Sequence, residues 1–182
     1  MSLLEEIRSI LEEAGVRHAL IGALALAAYG INRATVDLDL FTADASCLRP
    51  ELWAALRDRG IAVDVRKGDL TDPLAGVVRF QAPGESPIDV VVGKFAWQTR
   101  LLERAEPIGG TLVVRAADLV LLKLYAGGPQ DAWDVQQLLA RPFREDLVRE
   151  VESRLSDLPS RCRRLWGRLL TPPAREAGRR AR

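Results

Sequence analysis

The chain has 182 residues, of which 48% are hydrophobic and 28% charged, and its formal net charge at pH 7 is +1. These values are ordinary for a soluble globular protein of one domain, or of one domain with a short appendage. They exclude a chain that needs disulfide staples in order to fold, and no apolar run approaches the roughly 20 residues of a membrane-spanning helix.

Periodicity predicts alternating helices and strands in the first two-thirds of the chain. Residues 3–14 have apolar side chains at helical spacing, a capping-box pair at Ser2 and Glu5, and Gly15 at the end. The short apolar segment 18–21 predicts the first strand. Further along we predict helices over 23–29, 50–59, 94–104 and 117–126, and strands over 36–41, 61–65, 77–80, 88–92 and 111–114.

The last third of the chain is predicted to be helical. Pro129 opens a helix at a position where proline is tolerated, and further helices are expected over 145–155 and 159–170. The fold class is therefore α+β, with a mixed sheet flanked by helices and a helical C-terminal part. We expect residues 1–140 to form the core and residues 141–182 to add helices and a basic tail packed on it.

Cysteine and histidine are scarce, and this restricts the choice of metal. Cys47 and Cys162 are far apart and lack C-x-x-C spacing, so we expect free thiols in a reducing cytoplasm. The single histidine, His18, cannot form a multi-histidine site. Any metal is therefore expected to have oxygen ligands, which favours Mg²⁺ or Mn²⁺ over Zn²⁺.

The predicted strand 36–41 alternates apolar and acidic residues. Side chains two apart on a strand share a face, so Asp37 and Asp39 are expected to project together while Leu38 and Leu40 enter the core. Two carboxylates about 5 Å apart repel by roughly 3 kcal/mol at an effective dielectric constant of about 20. A cation, a shared proton or solvent exposure relieves this repulsion, and two divalent cations would also support phosphoryl-transfer chemistry.

A third carboxylate makes the metal interpretation more specific than the Asp-x-Asp pair alone, which solvated edge strands often contain. Asp89 is the single acid in the apolar segment 87–92, where an unpaired carboxylate would be costly, so a metal or another cation is expected beside it. Asp64 is a rival for this role. Its neighbours Arg66 and Lys67 favour a more exposed, ion-paired position.

The ordered combination of motifs resembles the polymerase-beta-type nucleotidyltransferases, and within them the AbiEii/MenT-like group and its uncharacterised relatives. The resemblance covers about residues 15–140. It rests on Ile21-Gly22-Ala23-Leu24-Ala25, Tyr29-Gly30, Arg33, Thr35, Asp37 and Asp39, and on the later segment Asp118–Lys123 followed by Asp131 and Asp134.

The resemblance implies a site. It assigns metal binding to Asp37 and Asp39 and, on a neighbouring strand, to a third aspartate, for which we take Asp89. It assigns contacts with the nucleotide phosphates to a glycine-led turn, here Gly22 and Ala23. Many members have serine after the glycine, whereas Ala23 has no hydroxyl, so phosphate binding would rest on backbone N–H groups. Much of the group acts as toxins of toxin–antitoxin pairs, and some members modify tRNA.

The supporting polar residues each have two interpretations. In the functional interpretation, Lys123 contacts the triphosphate or neutralises the aspartates. In the alternative, its side chain extends along an apolar helix towards water. Arg33 grips a phosphate or orients an aspartate, with Thr35 supporting the turn, or it is a surface arginine. Asp131 and Asp134 take part in the site, or they lie early in a helix where the helix dipole favours negative charge.

The C-terminal segment is strongly basic. Residues 161–182 carry eight arginines and one acid, giving +7, so the first 160 residues carry −6. Such a tail attracts a polyanion such as RNA, or it is simply a solvated and partly disordered tail. The arginines are Arg161, Arg163, Arg164, Arg168, Arg175, Arg179, Arg180 and Arg182.

The leading functional hypothesis is the Mg²⁺- or Mn²⁺-dependent transfer of a nucleotide monophosphate from an NTP to an acceptor hydroxyl. RNA, in particular the tRNA 3′ end, is the favoured acceptor, and an antitoxin is an implied partner. A membrane is not expected as a partner. The rivals are a nucleotide- or RNA-binding module with the same fold but little or no turnover, which Ala23 motivates, and a phosphohydrolase that uses the same acids.

Overall fold

The computed structural model describes residues 2–33 and 37–171, and it contains the expected N-terminal helix. Helix α1 (Leu3–Glu13) begins after Ser2, whose hydroxyl accepts a hydrogen bond from the Glu5 backbone N–H at 3.3 Å. The Glu5 carboxylate in turn accepts from the Ser2 N–H at 2.7 Å. This capping box satisfies two N–H groups that have no partner within the helix.

Seven strands and seven further α-helices follow within the described residues. The strands are β1 (His18–Leu20), β2 (Leu38–Thr42), β3 (Ala62–Lys67), β4 (Gly76–Gln81), β5 (Ile88–Val92), β6 (Glu106–Ile108) and β7 (Thr111–Val113). The helices are α2 (Gly22–Ala28), α3 (Ala54–Asp58), α4 (Ala96–Glu103), α5 (Ala116–Ala126), α6 (Pro129–Leu139), α7 (Arg144–Glu152) and α8 (Ser160–Leu170). Short 3₁₀ turns span Ala45–Leu48, Pro50–Trp53 and Leu155–Asp157.

The strands form one mixed sheet in the order β3-β4-β5-β2-β1-β7-β6. The neighbours β2 and β5 are parallel, as are β1 and β7, and the other neighbouring strands are antiparallel. This sheet and its helices confirm the predicted α+β class.

A hydrophobic core cluster lies against one face of this sheet. Alternation along β5 buries Ile88, Val90 and Val92, which are 2%, 0% and 0% exposed. The same alternation leaves Asp89 on the opposite face. The core is completed by the apolar face of α1 and by Trp53, whose ring meets that of Phe80 edge-on with 4.7 Å between centroids.

Three local features differ from the sequence prediction. Asp37 was expected inside a strand but precedes it, because β2 begins where Leu38 pairs with Ile88. The predicted helix over residues 50–59 is a 3₁₀ turn followed by the short helix α3. Strand β6 was not predicted, since Pro107 at its centre argues against a strand, but at the end of the sheet this proline needs no ladder hydrogen bond on its outer side.

Contacts divide the described residues into two compact units, one running to Leu119 and the other starting at Val120. The predicted boundary between residues 140 and 141 lies within the second unit. In that unit α6 packs against α7 and α8. No helix in the described part of the chain is long and apolar enough to cross a membrane. Cys47 and Cys162 were predicted to be free thiols; both are free and buried in the structure.

Candidate functional site

A row of four charged residues crosses the sheet on the face opposite the core. Asp39 of β2 is paired in register with Asp89 of β5, and Asp89 with Arg79 of β4. Arg79 is paired in turn with Asp64 of β3. Since residues directly opposite each other on neighbouring strands point to the same face, these side chains lie side by side in the order Asp64, Arg79, Asp89, Asp39.

Arg79 joins two of the predicted catalytic carboxylates. Its Nη2 is 2.9 Å from Asp37 Oδ1 and its Nη1 is 3.5 Å from Asp89 Oδ2. The guanidinium therefore acts as a counter-ion for both acids. Sequence reasoning did not identify Arg79, although it is the single charge in the apolar segment 77–80 and alternates with the buried residues Val78 and Phe80.

Asp89 lies in an environment that disfavours its charged form. Its side chain is only 16% exposed, and its Oδ1 is buried without a hydrogen-bond partner among the described residues. Burial raises the pKa of the Asp89 carboxyl above its ordinary value, and the nearby Asp37 adds to this effect. Arg79 and Arg66 act in the opposite direction and lower that pKa. Burial is the largest of these influences, so Asp89 holds a proton more strongly than an exposed aspartate does.

The turn between β1 and α2 is shaped around Asp39. Gly22 has φ +61°, and a Cβ added to it would lie 2.0 Å from Asp39 Oδ2. Only glycine suits both this backbone conformation and this close approach. The neighbouring Ile21 N–H donates to the Asp39 carbonyl oxygen at 3.0 Å, which ties the turn to β2. The structure therefore brings the predicted glycine turn into direct contact with the second aspartate.

The oxygen atoms of this site fit a hard divalent cation chemically. Asp37, Asp39 and Asp89 offer only carboxylate oxygens, and the unsatisfied Oδ1 of Asp89 is an available ligand atom. Among residues 2–33 and 37–171, however, no group of three acidic, histidine or cysteine side chains is already arranged to hold a metal ion. Arg79 supplies the positive charge beside Asp37 and Asp89 in this arrangement.

Asp64, the rival third carboxylate, is exposed and ion-paired as the sequence predicted. Its Oδ2 is 2.7 Å from Arg66 Nε, and its side chain is 54% exposed. It belongs to the same row of charged residues, but two strands separate it from Asp39. Asp89, on the strand adjacent to Asp39, is better placed to act together with it.

In the second unit, Lys123 pairs with both predicted aspartates of α6. Its Nζ is 2.5 Å from Asp134 Oδ2 and 3.3 Å from Asp131 Oδ1. Lys123 is 8% exposed and Asp134 is 0% exposed, so this is a buried ion pair and not a lysine extending into water. Asp131 Oδ2 also accepts from the Gly128 N–H at 3.0 Å, which caps the start of α6. The helix-start interpretation of Asp131 is therefore observed, while a role in nucleotide binding stays a prediction.

The remaining predicted residues have varied surroundings. Ala23 is buried, and Arg33 is half-buried in the segment after α2. Thr35 lies outside the described residues. Asp118, which starts the lysine motif, is fully buried and accepts two hydrogen bonds from the Arg104 guanidinium at 2.6 and 3.0 Å. This bidentate pair joins the end of α4 to α5, which is a structural role.

The basic C-terminal segment is described only as far as residue 171. Arg161, Arg163, Arg164 and Arg168 lie on α8, whereas Arg175, Arg179, Arg180 and Arg182 lie outside the described residues. Arg161 already has a partner within the second unit. It donates to the Tyr125 carbonyl oxygen at 2.8 Å and lies 5.1 Å from the centroid of the Tyr125 ring.

Comparison with known proteins finds similar solved structures. No family profile and no curated protein matches the sequence. Helicobacter pylori JHP933 is 19% identical, with 85% of this chain and 73% of that chain covered and a TM-score of 0.46. ANT(2'')-Ia in complex with adenylyl-2''-tobramycin is 16% identical, with 92% and 95% covered and a TM-score of 0.46.

A third similar structure is a tRNA nucleotidyltransferase bound to a primer tRNA and an incoming ATP analogue. It is 16% identical, with 87% of this chain and 54% of that chain covered and a TM-score of 0.40. At these identities and TM-scores, the similarities assign neither a family nor an activity to this chain.

Proposed function

We propose that this chain is a metal-dependent nucleotidyltransferase that transfers a nucleotide monophosphate from an NTP to an acceptor hydroxyl and releases pyrophosphate. One observation carries the proposal. Asp39 and Asp89 lie directly opposite each other on adjacent parallel strands, with the Gly22 turn against Asp39 and Arg79 beside Asp89. Paired carboxylates beside a glycine turn suit a reaction in which anionic phosphates approach acidic side chains.

The three aspartates have distinct roles in this proposal. Asp37, Asp39 and Asp89 would hold Mg²⁺ or Mn²⁺, since they offer only hard oxygen ligands. When bound, the ions would supply Lewis-acid stabilisation of the charge on the phosphates. Arg79 balances the charge of Asp37 and Asp89 and keeps the acids close together before an ion binds.

Asp89 also acts as the general base that accepts the proton of the acceptor hydroxyl, or it assists that base. The acceptor oxygen forms a bond to the α-phosphorus of the NTP, and the bond from that phosphorus to the oxygen bridging to the β-phosphate breaks. Pyrophosphate leaves with the electron pair of that bond, and the acceptor hydroxyl proton moves to Asp89. Without a bound ion, burial raises the pKa of the Asp89 carboxyl, whereas a divalent cation on the same carboxylate would lower it.

The nucleotide contacts follow from the family resemblance. The backbone N–H groups of Gly22 and Ala23 would contact the phosphates, with Arg33 gripping a phosphate and Thr35 supporting the turn. Lys123 and Asp131 complete the proposed nucleotide-binding set.

The acceptor and the biological setting are proposed from charge and resemblance. RNA, and the tRNA 3′ end in particular, suits the basic segment that begins at Arg161. The AbiEii/MenT-like resemblance adds the role of a toxin in a toxin–antitoxin pair, acting in the cytoplasm and bound by an antitoxin protein.

Label transfer tests the proposal directly. The full chain is incubated with each α-labelled NTP, Mg²⁺ and total RNA, and labelled RNA, protein and small molecules are separated. Label is expected in the RNA fraction, and Asp39→Asn should reduce it by at least about 100-fold. Asp58→Asn, which changes an exposed aspartate of α3, is the matched control and should retain transfer. Transfer that survives Asp39→Asn contradicts the proposal.

A second candidate is a nucleotide- or RNA-binding module without turnover. It is favoured by Ala23, which lacks the hydroxyl that serine offers to phosphate in many members of the family that the chain resembles. Metal-dependent NTP binding without label transfer would support this second candidate. Pyrophosphate release without labelled acceptor would instead point to a phosphohydrolase.

A further inference from the structure

Arg79 is committed to the proposed metal ligands and not to the neighbouring acid of β3. In the row of charged residues it stands between Asp64 of β3 and Asp89 of β5. Asp64 is paired with Arg66, with 2.7 Å between Oδ2 and Nε. Arg79 is instead 3.5 Å from Asp89 and 2.9 Å from Asp37. Its positive charge therefore belongs to the acids of the proposed site.

The guanidinium contacts one oxygen of each of these two carboxylates. Its Nη2 donates to Asp37 Oδ1, and its Nη1 forms an ion pair with Asp89 Oδ2. The other oxygen of Asp89, Oδ1, is buried and has no hydrogen-bond partner within residues 2–33 and 37–171. Because a buried carboxylate oxygen without a partner is costly, Oδ1 is the atom that a bound cation would stabilise most.

The strand order places Asp89 between Arg79 and Asp39. Strand β5 lies between β4, which carries Arg79, and β2, which carries Asp39. Both residues are paired in register with Asp89, so the three side chains project from the same face of the sheet. Neighbouring strands are about 4.8 Å apart, which allows one cation to contact the carboxylates of both Asp39 and Asp89. Such an ion lies on the β2 side of Asp89, whereas Arg79 lies on the β4 side.

The charges of these four residues favour one divalent ion over two. Asp37, Asp39 and Asp89 carry three negative charges when they are ionised, and Arg79 balances one of them. The two that remain equal the charge of a single Mg²⁺ or Mn²⁺ ion. A second divalent ion would make the four side chains and their ions net positive, and the guanidinium would repel it at the same two acids.

We infer that the Arg79 guanidinium takes the place of one cation of a two-metal site, so that the nucleotide-free chain binds a single divalent ion, chiefly through Asp39 and Asp89. The inference rests on the proposed function and defines the metal content of the same site. Arg79 is a positioning residue in this account, because it acts through Asp37 and Asp89. Its charge belongs to the chain itself, so it stays in the site when a chelator removes the metal.

Titration of the full, nucleotide-free chain with Mn²⁺ counts the ions directly. Free Mn²⁺ in water gives a sharp electron paramagnetic resonance signal that weakens on binding, so the number of ions bound per chain can be measured. Wild type should bind one ion, with the spectrum of an isolated Mn²⁺. Arg79→Met should bind two, and ions about 3.5–4 Å apart should give a magnetically coupled spectrum. The first ion should also bind Arg79→Met at least about 10-fold more tightly, since it no longer meets the positive charge of the arginine.

Three further variants separate the charge of Arg79 from other effects. Arg79→Lys keeps the positive charge and should bind one ion, as wild type does. Arg66→Met is the matched control, since it removes an arginine of the same sheet face whose partner is Asp64, and it should also bind one ion. Asp39→Asn should lose the ion, which assigns that ion to the proposed site. Melting temperatures show whether each variant is folded during the titration, and Arg79→Gln replaces Arg79→Met if the latter is not.

The outcomes separate this inference from the proposed function. Two ions bound by wild type, or a single ion bound by Arg79→Met, overturns the inference and leaves a metal-dependent transferase in place. Retention of the ion by Asp39→Asn also overturns it, because the counted ion would then lie elsewhere. Absence of Mn²⁺ binding in both wild type and Arg79→Met contradicts metal dependence itself, so the proposed function fails and the inference fails with it.

Discussion

Arg79 and Asp89 lie directly opposite each other on the antiparallel strands β4 and β5, with 3.5 Å between Arg79 Nη1 and Asp89 Oδ2. The same guanidinium contacts Asp37 at 2.9 Å. The acids proposed to bind metal are thus partly neutralised by a cation of the protein itself. On the proposed function, a divalent ion and Arg79 would compete for the same carboxylates, and this competition predicts a difference in metal-dependent stability.

Replacing Arg79 should make the protein depend more on metal for its stability. Arg79→Met removes the counter-ion of Asp37 and Asp89, so their mutual repulsion increases when no metal is present. The melting temperature in EDTA should fall, modestly because the pair is partly exposed to solvent, and Mg²⁺ should raise it by more than it does for wild type. Arg49→Met is the control for loss of a surface arginine. An equal response to Mg²⁺ in Arg79→Met and wild type would contradict the competition.

The raised pKa of Asp89 predicts how the stability contribution of this residue changes with pH. In the folded state the pKa lies above its unfolded value of about 3.9, so the folded protein binds the proton more tightly. The resulting stabilisation is fully present below the unfolded pKa and is lost as the pH rises through the folded pKa. Relative to Asp89→Asn, wild type should therefore gain unfolding free energy as the pH falls towards about 3.5.

Urea unfolding of both proteins in EDTA, between about pH 3.5 and pH 7, measures this difference. At the upper end of this range, the charged and half-buried Asp89 should make wild type less stable than the asparagine variant. A loss of wild-type stability relative to the asparagine variant on acidification would mean that attraction to Arg79 outweighs burial at this position.

Adding one methyl group to Gly22 should disrupt the site. Gly22→Ala places a Cβ 2.0 Å from Asp39 Oδ2 and holds alanine at φ +61°, a conformation that costs about 1–2 kcal/mol for a non-glycine residue. Gly15→Ala is a matched control, since Gly15 has φ +69° but nothing within 4 Å of an added Cβ. Both variants should lose stability because alanine is unfavourable at a positive φ. Gly22→Ala should lose further stability and most of its label transfer, and equal effects would show that the contact with Asp39 is unimportant.

The two interpretations of Lys123 can be separated by replacing the ion pair with apolar residues. Lys123→Met leaves the fully buried Asp134 without its cation and should cost about 3–5 kcal/mol of unfolding free energy. The double variant Lys123→Met with Asp134→Leu should recover most of that stability. If Lys123 contacts the nucleotide, the double variant should still bind NTP more weakly than wild type does. Full recovery of both stability and NTP affinity would leave Lys123 a purely structural role.

The sequence predicts well those features that depend on local patterns. Strand β5 (Ile88–Val92) was predicted to the residue, because its apolar run is bounded by Pro87 and Gly93. Helix α1 was predicted from its capping box. The position of Asp89 on the strand next to that of Asp39 was implied by the family resemblance and not by local periodicity.

Features that depend on strand register or on distant contacts could not be predicted in the same way. Arg79 reaches Asp37 across 42 positions of sequence, and only the order of β4, β5 and β2 brings the two side chains together. The pairing of Lys123 with Asp134 depends on how α5 and α6 pack, for which a single sequence gives no signal. The isolated charge of Arg79 within an apolar strand was the available clue. It indicated that Arg79 has an acidic partner, but not which residue that partner is.

The most direct test of the central claim compares two aspartates of the same charged row. Label transfer from an α-labelled NTP to RNA is measured in the presence of Mg²⁺ for Asp89→Asn and Asp64→Asn, with folding checked by melting temperature. Because Asp89 is half-buried next to Asp39 while Asp64 is exposed and paired with Arg66, Asp89→Asn should lose at least about 100-fold of the activity and Asp64→Asn should stay near wild type. Retained transfer in Asp89→Asn, with loss in Asp64→Asn, would contradict the assignment.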